Sequence, residues 1–413
     1  MLGREEDDGH NTPRNAFRLG NARVRTVGVV TTSRADYGIY LPLLRRIQAE
    51  PGLAVRLFVT GMHLSPRFGR TVKAIEADGF EIAERVKMLS NSDDPASIAK
   101  SMAWGTAGFA DVFTRSRPDI LVVLGDRFEM HAAALAALPF KIPVAHIHGG
   151  ELTEGAIDDA LLHSMTKLSH LHFAATREYG RRIVQMGEEP WRVTISGAPS
   201  LDNLASMKRL TVPALKSRFG LRISPETLIV TFHPATLEYE DAESQSGELL
   251  SALRASGRPV VFTMPNADTG GRVIRERIKR FVREEASAQA VESLGTEGYF
   301  SVLSLCAAMV GNSSSGLLEA PSFGLPVVNV GSRQRGRVRA ANVIDVGYGR
   351  EGIEEGIRRA TDPAFRKSLR GLVNPYGDGK ASCRIVAKLA EVPLSGRLLM
   401  KRFHDLAIPE RTI

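Results

Sequence analysis

Ionisable side chains in the first half of this 413-residue chain gather directly after short apolar runs. The first run ends in "TTSRADYG", which holds Arg34 and Asp36. Later runs and the loop behind them supply Asp126, Arg127, Glu129, His146, His148, Glu151, Glu154, Asp158 and Asp159. Carboxylates and imidazoles are the side chains that most often transfer protons in catalysis. The pattern therefore predicts that the first half holds a substrate group that needs proton transfer.

The second half ends its apolar runs in polar groups of a different kind. These are His233 in "TFHP", Asn266 in "MPN", Asn312 to Gly316 in "VGNSSSG", and Arg333 and Arg335 in "GSRQRGR". A glycine-bearing turn before a helix offers backbone N–H groups to a phosphate. One N-cap needs one polar residue, whereas four polar residues and two glycines stand here. We therefore expect the second half to hold a nucleotide diphosphate. Ser313, Ser314 and Ser315 would donate to its phosphates, Arg333 would neutralise their charge, and Glu319 would accept from the ribose hydroxyls.

Each of these residues also has a purely structural interpretation. Asp126 could cap a helix that begins at Phe128, and His233 could be a turn residue before a proline. One of His146 and His148 could face the core, and Asp158 could simply open a helix. Taken together, however, acids, imidazoles and arginines at the strand ends of both halves favour a cleft with carboxylates on one wall and a phosphate cradle on the other.

The elements that would position these groups are short apolar strands alternating with helices. The strands are predicted at Val24–Thr31, Val55–Thr60, Ile120–Leu124, Val144–Ile147, Leu171–Ala175 and Val193–Ser196, then in "TLIVTFHP", "PVVFTMPN", "AAMVGN", "PVVNVG" and "VIDVG". Helices fit between them, as at Ile39–Ala49, Phe128–Leu138 and Leu317–Phe323. Unbroken apolar strands of this kind are typical of parallel sheets covered on both faces, whose ligands bind beyond the carboxyl ends of the strands.

The predicted fold class is therefore α/β, with two Rossmann-like doubly wound domains facing a cleft. We place a disordered tail at residues 1–23, the first domain with the catalytic acids at 24–204, and the nucleotide-binding domain at 205–380. The segment Pro199–Ser224 suits a linker. No GxGxxG follows the first strand, so a nicotinamide dinucleotide is not expected.

Amino-acid composition and the two cysteines indicate which class of protein this chain belongs to. Apolar residues make up 43% and charged residues 24% of the chain, as in soluble globular proteins. No apolar run reaches the roughly 18 residues of a membrane span, and Met1–Arg25 lacks the apolar core of a secretory signal. We predict that Cys306 and Cys383 are buried small hydrophobes in helices, which points to a reducing cytoplasm. No ligand spacing for a metal is visible, and no cofactor is predicted.

The net charge of +8 has two interpretations. Nucleic-acid binding is one, but aromatic residues are only 6% and no nucleic-acid-binding motif is visible. Basic residues cluster in "RVIRERIKRFVR", which we interpret as the solvated face of a helix, and in "RQRGRVR", which follows a strand. A small anionic ligand accounts for the charge at least as well, and we expect no nucleic-acid partner.

Several stretches together resemble the UDP-N-acetylglucosamine 2-epimerases. They are "TTSRADYG", "LGDRFE", "HIHGGELTEGAIDDALLHSMTKLSHLHF", "ISGAPSLDNL", "FHPAT", "MPNADTGG", "VGNSSSGLLEAPSFGLPVVNVGSRQRGR" and "NPYGDGKAS". The resemblance covers about residues 24–389 and is closer to the hydrolysing branch, which makes N-acetylmannosamine for sialic-acid-type sugars. It implies the two-domain glycosyltransferase-B fold, a C-terminal helix within 381–413 that crosses back to the first domain, a nucleotide-sugar substrate and a homodimer without membrane attachment.

The resemblance also implies residue roles. Asp126 and Asp158 match catalytic aspartates, and His233 matches a histidine near the diphosphate. Ser313, Ser314, Glu319 and Arg333 match nucleotide-binding residues, and Arg34 matches the arginine of the N-terminal turn.

One position departs from the pattern, because this chain has His148 where sialic-acid enzymes carry a catalytic glutamate in "HIEGGE". Histidine can act as acid or base near neutral pH, or Glu151 takes over that role. The loop that follows is also one residue longer in this chain. The change would suit a 2,4-diacetamido-trideoxy sugar, a precursor of legionaminic-type acids.

Three other functions fit parts of the pattern. A non-hydrolysing epimerase would release UDP-N-acetylmannosamine rather than free UDP. A glycosyltransferase of the same fold would need an acceptor, and the first-half carboxylates argue against it. A non-catalytic nucleotide-sugar sensor would bind UDP through the second domain and turn nothing over. Asp126 and Asp158 argue against that third function.

Overall fold

The computed structural model describes residues 24–66, 71–92, 94–153, 157–234, 238–265 and 271–407. The tail expected at residues 1–23 lies outside them. The described residues contain a seven-stranded and a six-stranded sheet, and every strand pair in both sheets is parallel.

The seven-stranded sheet comes from the first half of the chain and has the order β3-β2-β1-β4-β5-β6-β7. Its strands are β1 Arg25–Thr31, β2 Leu53–Thr60, β3 Ile82–Val86, β4 Ile120–Leu124, β5 Val144–Ile147, β6 Leu171–Ala174 and β7 Val193–Ile195. The helices between them are α1 Arg34–Gln48, α2 Val72–Ala77, α3 Pro95–Arg115, α4 Phe128–Ala137, α5 Ile157–Leu168 and α6 Arg177–Gln185.

The six-stranded sheet has the order β10-β9-β8-β11-β12-β13. Its strands are β8 Leu228–Thr231, β9 Val260–Thr263, β10 Ala288–Val291, β11 Ala308–Gly311, β12 Val327–Val330 and β13 Val343–Val346. Helices α7 Asp202–Ser206 and α8 Val212–Phe219 precede it, and α9 Ala242–Ser256, α10 Gly271–Glu284, α11 Gly295–Leu305, α12 Ser315–Leu318, α13 Arg350–Ala360 and α14 Pro363–Ser368 surround it. Helices α15 Ala381–Glu391 and α16 Gly396–Leu399 follow.

These sheets confirm the predicted α/β class with two doubly wound halves. Strands β3 ("IAERV") and β10 ("AQAV") were not predicted, and both lie at sheet edges where most of their residues are only partly buried. An edge strand has a weaker apolar signature than a central one such as β4, which is buried at all five positions. Helix α1 begins at Arg34 rather than Ile39, because Ser33 and Asp36 form a capping box.

The C-terminal part of the chain returns to the first sheet. Helix α15 packs against α1, and its Ile385, Val386 and Leu389 join the core around β1 and β4. Beyond α15, the fully buried Arg192 donates hydrogen bonds to the carbonyls of Arg397, Leu398 and Met400. A guanidinium can be buried this way because backbone oxygens satisfy its donors.

The prediction that both cysteines are buried within helices is wrong. Cys306 is buried but caps the end of α11, and Cys383 lies in α15 with its side chain exposed. Helix α15 buries Ala381, Ser382 and Ile385 toward the core, which leaves position 383 on the opposite face.

The arginine-rich segment "RVIRERIKRFVR" forms most of α10, as predicted for a solvated helix face. It buries Ile274, Ile278 and Phe281 at helical spacing and leaves Arg272 exposed. Among the described residues, no helix is long and apolar enough to cross a membrane.

Candidate active site

The first wall of the site begins where β4 ends. Gly125 has a positive φ of 72° and turns the chain toward α4. Asp126 does not cap α4, because the N-cap position is Arg127 and no side chain caps the helix there. Asp126 Oδ2 instead accepts a hydrogen bond of 3.0 Å from the hydroxyl of Thr153. The interpretation of Asp126 as a helix cap is therefore wrong, and its carboxylate instead contacts the loop that follows β5.

Arg127 and Glu129 form an ion pair beside Asp126. The guanidinium donates from Nε to Glu129 Oε2 at 3.1 Å and from Nη2 to Oε1 at 2.9 Å. Burial opposes the charge of Arg127, but Glu129 outweighs it and the pKa of Arg127 is raised. Because Glu129 is fully buried, it is held as the partner of Arg127 rather than as a free acid.

Asp158 lies in the first turn of α5, within electrostatic reach of Asp126. Burial first, and the charge of Asp126 second, raise the pKa of Asp158 to about 6. A carboxyl group whose pKa is raised toward neutrality is well suited to general acid–base catalysis. Asp159 has a structural role instead, since its Oδ1 accepts from the Thr153 N–H at 2.8 Å. Glu154 lies outside the described residues.

His148 and Glu151, which directly follow β5 in the chain, form a buried pair. His148 Nδ1 lies 2.6 Å from Glu151 Oε1, while its Nε2 is buried and has no hydrogen-bond partner among the described residues. The backbone of His148 has a positive φ of 65°, which is uncommon outside glycine and tends to occur at functional sites. Burial raises the pKa of Glu151, but His148 and then Arg337 outweigh it, so the net shift is downward.

His146 has the core position that was expected for one of the two histidines. It is fully buried, and its Nε2 lies 2.8 Å from the carbonyl oxygen of Gly125. Burial lowers the pKa of His146 to about 4, so the imidazole is neutral at physiological pH. His146 thus supports the turn after β4 and leaves His148 as the histidine of the site.

The second wall is built around Asn312. This buried side chain clamps the turn after β8, because Oδ1 accepts from the His233 N–H and Nδ2 donates to the His233 carbonyl, both at 2.7 Å. The carbonyl of Asn312 accepts from Arg333 Nη1 at 3.0 Å and from Gln334 Nε2 at 2.8 Å. Asn312 therefore joins three strand ends of the second sheet, and Gln334 is a member of this cluster that sequence analysis missed.

Gly311 is the residue on which this turn depends. Its φ is 132°, and a Cβ at this position would lie 2.0 Å from the carbonyl oxygen of Thr231. We expect Gly311→Ala to lower the free energy of unfolding by about 2–5 kcal/mol, through backbone strain and overpacking. Urea unfolding measures the effect. The control is Gly352→Ala in α13, where nothing lies within 4 Å of the new Cβ; equal stability of the two variants would contradict the prediction.

The serines after Asn312 form a tight turn rather than the start of a long helix. Ser313 Oγ accepts a hydrogen bond from the Ser315 N–H at 3.3 Å, and α12 ends at Leu318 before a 3-10 turn at Ala320–Phe323. The continuous helix predicted for Leu317–Phe323 is therefore wrong, because Pro321 interrupts it. With a single helical turn, an anion here would be held by N–H groups and Arg333 rather than by a macrodipole.

Two more residues of the second half face this cleft. Burial first, and Arg333 second, lower the pKa of His233 to about 3, so its imidazole is neutral. Glu319 Oε1 accepts from the Ser200 hydroxyl at 2.8 Å. Burial raises the pKa of Glu319, although Ser200 and the nearby His148 oppose the shift. Because Ser200 belongs to the first half of the chain and Glu319 to the second, their hydrogen bond shows that the two walls meet.

The residues predicted from the first strand differ in their position. Arg34 is exposed at the start of α1, beyond the carboxyl end of β1. Asp36 is buried, and its oxygens accept hydrogen bonds from Thr31, Thr32 and Ser33. Its carboxylate is thus committed to shaping the loop. Asn266, the remaining predicted residue, lies outside the described residues, and within those no group of three His, Cys, Asp or Glu side chains could hold a metal ion.

A family model described as UDP-N-acetylglucosamine 2-epimerase matches residues 45–390. The chain belongs to this family. It is 37% identical to the UDP-N,N'-diacetylbacillosamine 2-epimerase (hydrolyzing) of Legionella pneumophila over 92% of this chain and 99% of that protein. It is 36% identical to the polysialic acid biosynthesis protein P7 of Escherichia coli over 93% of this chain and 97% of that protein.

Solved structures of family members share the fold. The UDP-GlcNAc 2-epimerase of Neisseria meningitidis bound to UDP-GlcNAc superimposes with a TM-score of 0.77 at 20% identity, over 89% of this chain and 100% of that one. The Methanocaldococcus jannaschii enzyme in complex with UDP-GlcNAc and UDP gives a TM-score of 0.72 at 16% identity, over 88% of this chain and 99% of that one. The glycosyltransferase-B type of architecture is thereby confirmed.

Proposed function

We propose that this protein is a hydrolysing UDP-sugar 2-epimerase. It converts UDP-N-acetylglucosamine, or a 2,4-diacetamido-6-deoxy analogue, and water into UDP and the free sugar inverted at C2, for nonulosonic acid and surface polysaccharide biosynthesis. What supports the proposal is that acids and imidazoles of the first half lie at a sheet edge that meets the Asn312 turn and the arginine loop of the second half, where Arg337 Nη1 lies 3.7 Å from Glu151 Oε2. Relatives named as hydrolysing epimerases at 37% identity support the same activity.

The second wall is the proposed nucleotide site. The N–H groups of Ser313 and Ser314 and the guanidinium of Arg333 would face the diphosphate, and Glu319 would accept from the ribose. A neutral His233 suits a position near the phosphates, where it can donate one hydrogen bond without adding a charge. Arg34, exposed at the end of β1, would approach the same diphosphate from the first wall.

The chemistry requires the diphosphate to leave as the C2 proton is removed. The C2–H of a 2-acetamido sugar is not next to a carbonyl, so no enolate can stabilise the carbanion. Loss of the proton is therefore coupled to cleavage of the C1–O bond, which gives a glycal and UDP. Arginine and N–H donors stabilise the charge that develops on the leaving group.

Hydration of the glycal completes the reaction. Water adds its oxygen at C1, and a proton returns to C2 from the face opposite to the one that lost it. Two faces need two proton-transfer groups. We propose the Asp126–Asp158 pair for one face and the His148–Glu151 pair for the other, since each pair holds an acid with a shifted pKa.

Among possible sugars, we propose the 2,4-diacetamido-6-deoxy type as the preferred substrate. Relatives from Legionella pneumophila and Campylobacter jejuni are named for diacetylbacillosamine and are each 37% identical to this chain. We also propose that the enzyme acts in the cytoplasm and that it forms a homodimer, the latter as the family resemblance implies; light scattering of the purified protein tests the dimer.

Release of free UDP from both candidate substrates is the direct test of this function. The purified protein is incubated with UDP-N-acetylglucosamine and with UDP-N,N'-diacetylbacillosamine, and UDP is quantified by anion-exchange chromatography. We expect UDP from both, with a higher kcat/KM for the diacetamido sugar. If neither sugar nucleotide yields UDP above the blank, the hydrolysing function is refuted.

The raised pKa of Asp158 predicts a pH-dependent stability. Because its folded-state pKa is about 6 and its reference value 3.8, ionisation disfavours the folded state, and the stabilisation present below pH 4 is lost as the pH rises through 6. Asp158→Asn removes this ionisation. One unit of pKa shift corresponds to about 1.4 kcal/mol, and solvent screening reduces the effect of this partly exposed group. We therefore expect the variant to be more stable than wild type by about 1–2 kcal/mol above pH 7.

Urea unfolding of both proteins at pH 4 and pH 7.5 measures this difference. The gap is expected to be smallest at pH 4. Asp111→Asn, at an exposed position of α3, is the matched control and should give no pH-dependent gap. A wild type that exceeds the Asp158→Asn variant in stability at pH 7.5 would show that the ionised carboxylate is favourable in the fold.

A further inference from the structure

Arg337 crosses from the second wall of the cleft to the first. It belongs to the "SRQRGRVR" loop behind β12, yet its Nη1 lies 3.7 Å from Glu151 Oε2 and its Nε donates to the carbonyl of Leu152 at 3.3 Å. Its side chain is only 16% exposed. A largely buried guanidinium beside a buried carboxylate interacts much more strongly than a surface pair.

The loop that carries Arg337 is fixed at its nucleotide-facing end. Gln334 and Arg333 of this loop both donate to the Asn312 carbonyl. Arg339 then donates from Nη1 to the Arg337 carbonyl at 2.9 Å and from Nη2 to the Gln334 carbonyl at 3.0 Å. The position of Arg337 therefore follows the turn that forms the proposed diphosphate cradle.

The same loop is fixed to the first wall by a ring of hydrogen bonds next to Arg337. The Val338 N–H donates to the Tyr179 hydroxyl at 3.0 Å, and the Tyr376 hydroxyl donates to the Val338 carbonyl at 3.0 Å. The two tyrosine hydroxyl oxygens lie 2.9 Å apart. Because the Tyr376 hydroxyl donates its hydrogen to Val338, the Tyr179 hydroxyl is the donor between the two tyrosines. Both backbone groups of Val338 are thus held, which fixes the main chain next to Arg337.

We propose that Arg337 is a positioning residue for the proton-transfer pair His148–Glu151, and that it couples this pair to the nucleotide wall. Arg337 keeps Glu151 as a carboxylate. Glu151 then accepts the Nδ1–H of His148, so that the lone pair of His148 is at Nε2, where it can take a proton. The catalytic consequence of this inference rests on the proposed function. The contacts among Arg337, Glu151 and His148 do not depend on that function.

The groups that face the pair are all part of its electrostatic environment. Within the described part of the chain, besides Arg337, they include His146 from β5, Tyr179 and Arg182 from α6, Tyr376 from the segment before α15, and Glu319 from the end of α12; Arg182 donates to the carbonyl of Gly150, next to Glu151. Of these, His146 is neutral because burial lowers its pKa to about 4. Arg337 is the permanent cation that forms an ion pair with Glu151, so its removal should weaken the stabilisation of that carboxylate.

Arg337→Gln tests the proposal by separating kcat, binding and pH dependence. We expect kcat to fall about 10- to 100-fold, a fraction of what a general acid or base contributes, while the Kd for UDP changes less than about threefold. The acidic limb of the kcat–pH profile should move to higher pH, because Glu151 loses its cation. Arg358→Gln on the exposed face of α13 is the matched control and should leave all three unchanged.

Arg337→Lys is a second variant that distinguishes loss of the positive charge from a folding defect in Arg337→Gln. It keeps the positive charge, so it should leave the acidic limb within about 0.3 pH units of wild type and recover part of kcat. A double-mutant cycle with Glu151→Gln adds a second criterion: Arg337→Gln should cost little once Glu151 is neutral. Additive losses, or a loss confined to KM with an unmoved limb, would overturn the positioning role.

A spectroscopic measurement keeps this inference distinguishable from the proposed function. The side chains of ¹⁵N-histidine-labelled protein are observed by NMR, and His148 is assigned from the His148→Asn variant. We expect the Nδ1–H tautomer at pH 7.5, and titration of the coupled His148–Glu151 pair at higher pH in Arg337→Gln. An Nε2–H tautomer or an unmoved titration contradicts the inference, whether or not the wild type releases UDP.

Discussion

Asp126→Asn is expected to lower kcat by at least about 10³-fold while the Kd for UDP changes less than about threefold, because a general acid or base is removed without touching the nucleotide wall. Asparagine has the same shape and still accepts the Thr153 hydroxyl hydrogen bond, so the loop behind β5 should keep its position. Steady-state UDP release and calorimetric titration with UDP measure the two effects.

The control for this experiment is Asp111→Asn, an exposed aspartate on α3 of the same half. It should be indistinguishable from wild type in kcat and in UDP binding. Turnover of Asp126→Asn near the wild-type rate would remove Asp126 from the chemistry. Loss of UDP binding in parallel with kcat would mean that Asp126 supports the cleft rather than the proton transfer.

His148→Asn is expected to lower kcat by about 10²- to 10⁴-fold and to abolish the acidic limb of the pH profile. Asparagine tolerates a positive φ better than most residues, so it fits the backbone of His148, which has a φ of 65°. The substitution removes Nε2, the buried nitrogen without a partner among the described residues. The measurement is kcat against pH for wild type and variant.

His148→Glu is the more informative companion, because it restores the glutamate of the "HIEGGE" enzymes. The variant would carry the same two glutamates as those enzymes, but it loses the Nδ1 group that contacts Glu151 Oε1 in this chain, so its activity at pH 7 should lie below that of wild type. His404→Asn, near the C-terminus, serves as the matched control. A His148→Asn variant with wild-type kcat and an unchanged pH profile would transfer the role to Glu151 alone.

Much of the fold was predictable because buried parallel strands have a strong signature. The unbroken apolar run "ILVVL" and its counterparts in the second half are buried at every position in β4, β8 and β11. The edge strands β3 and β10 were missed because they are half-exposed and therefore carry polar residues. The exposed Cys383 was missed because residue type alone does not indicate which face of a helix is buried.

The walls of the site were predictable because parallel strands present their carboxyl ends at one edge. Asp126, Asp158, His148 and Glu151 on one side, and Asn312, His233, Arg333 and Glu319 on the other, do gather there. The catalytic and binding roles of these residues stay predictions until they are measured.

Contacts between the two walls were not predictable from the sequence. Arg337 is one of several arginines in a basic loop, and only the packing of that loop against Tyr179 and Tyr376 selects it for Glu151. Similarly, Asp36 was expected among the ionisable groups of the site from its position after the first strand, whereas its own loop takes up both carboxylate oxygens. Such assignments depend on residues far apart in the chain.

The most direct test of the central claim is NMR of the reaction in D2O with UDP-N-acetylglucosamine and its diacetamido analogue. Elimination through a glycal, followed by hydration, predicts free UDP together with a C2-inverted sugar that carries deuterium at C2. The opposite result is a C2-inverted sugar still attached to UDP, or UDP released from a sugar that keeps its configuration and its C2 proton. Either of these would contradict a hydrolysing epimerase.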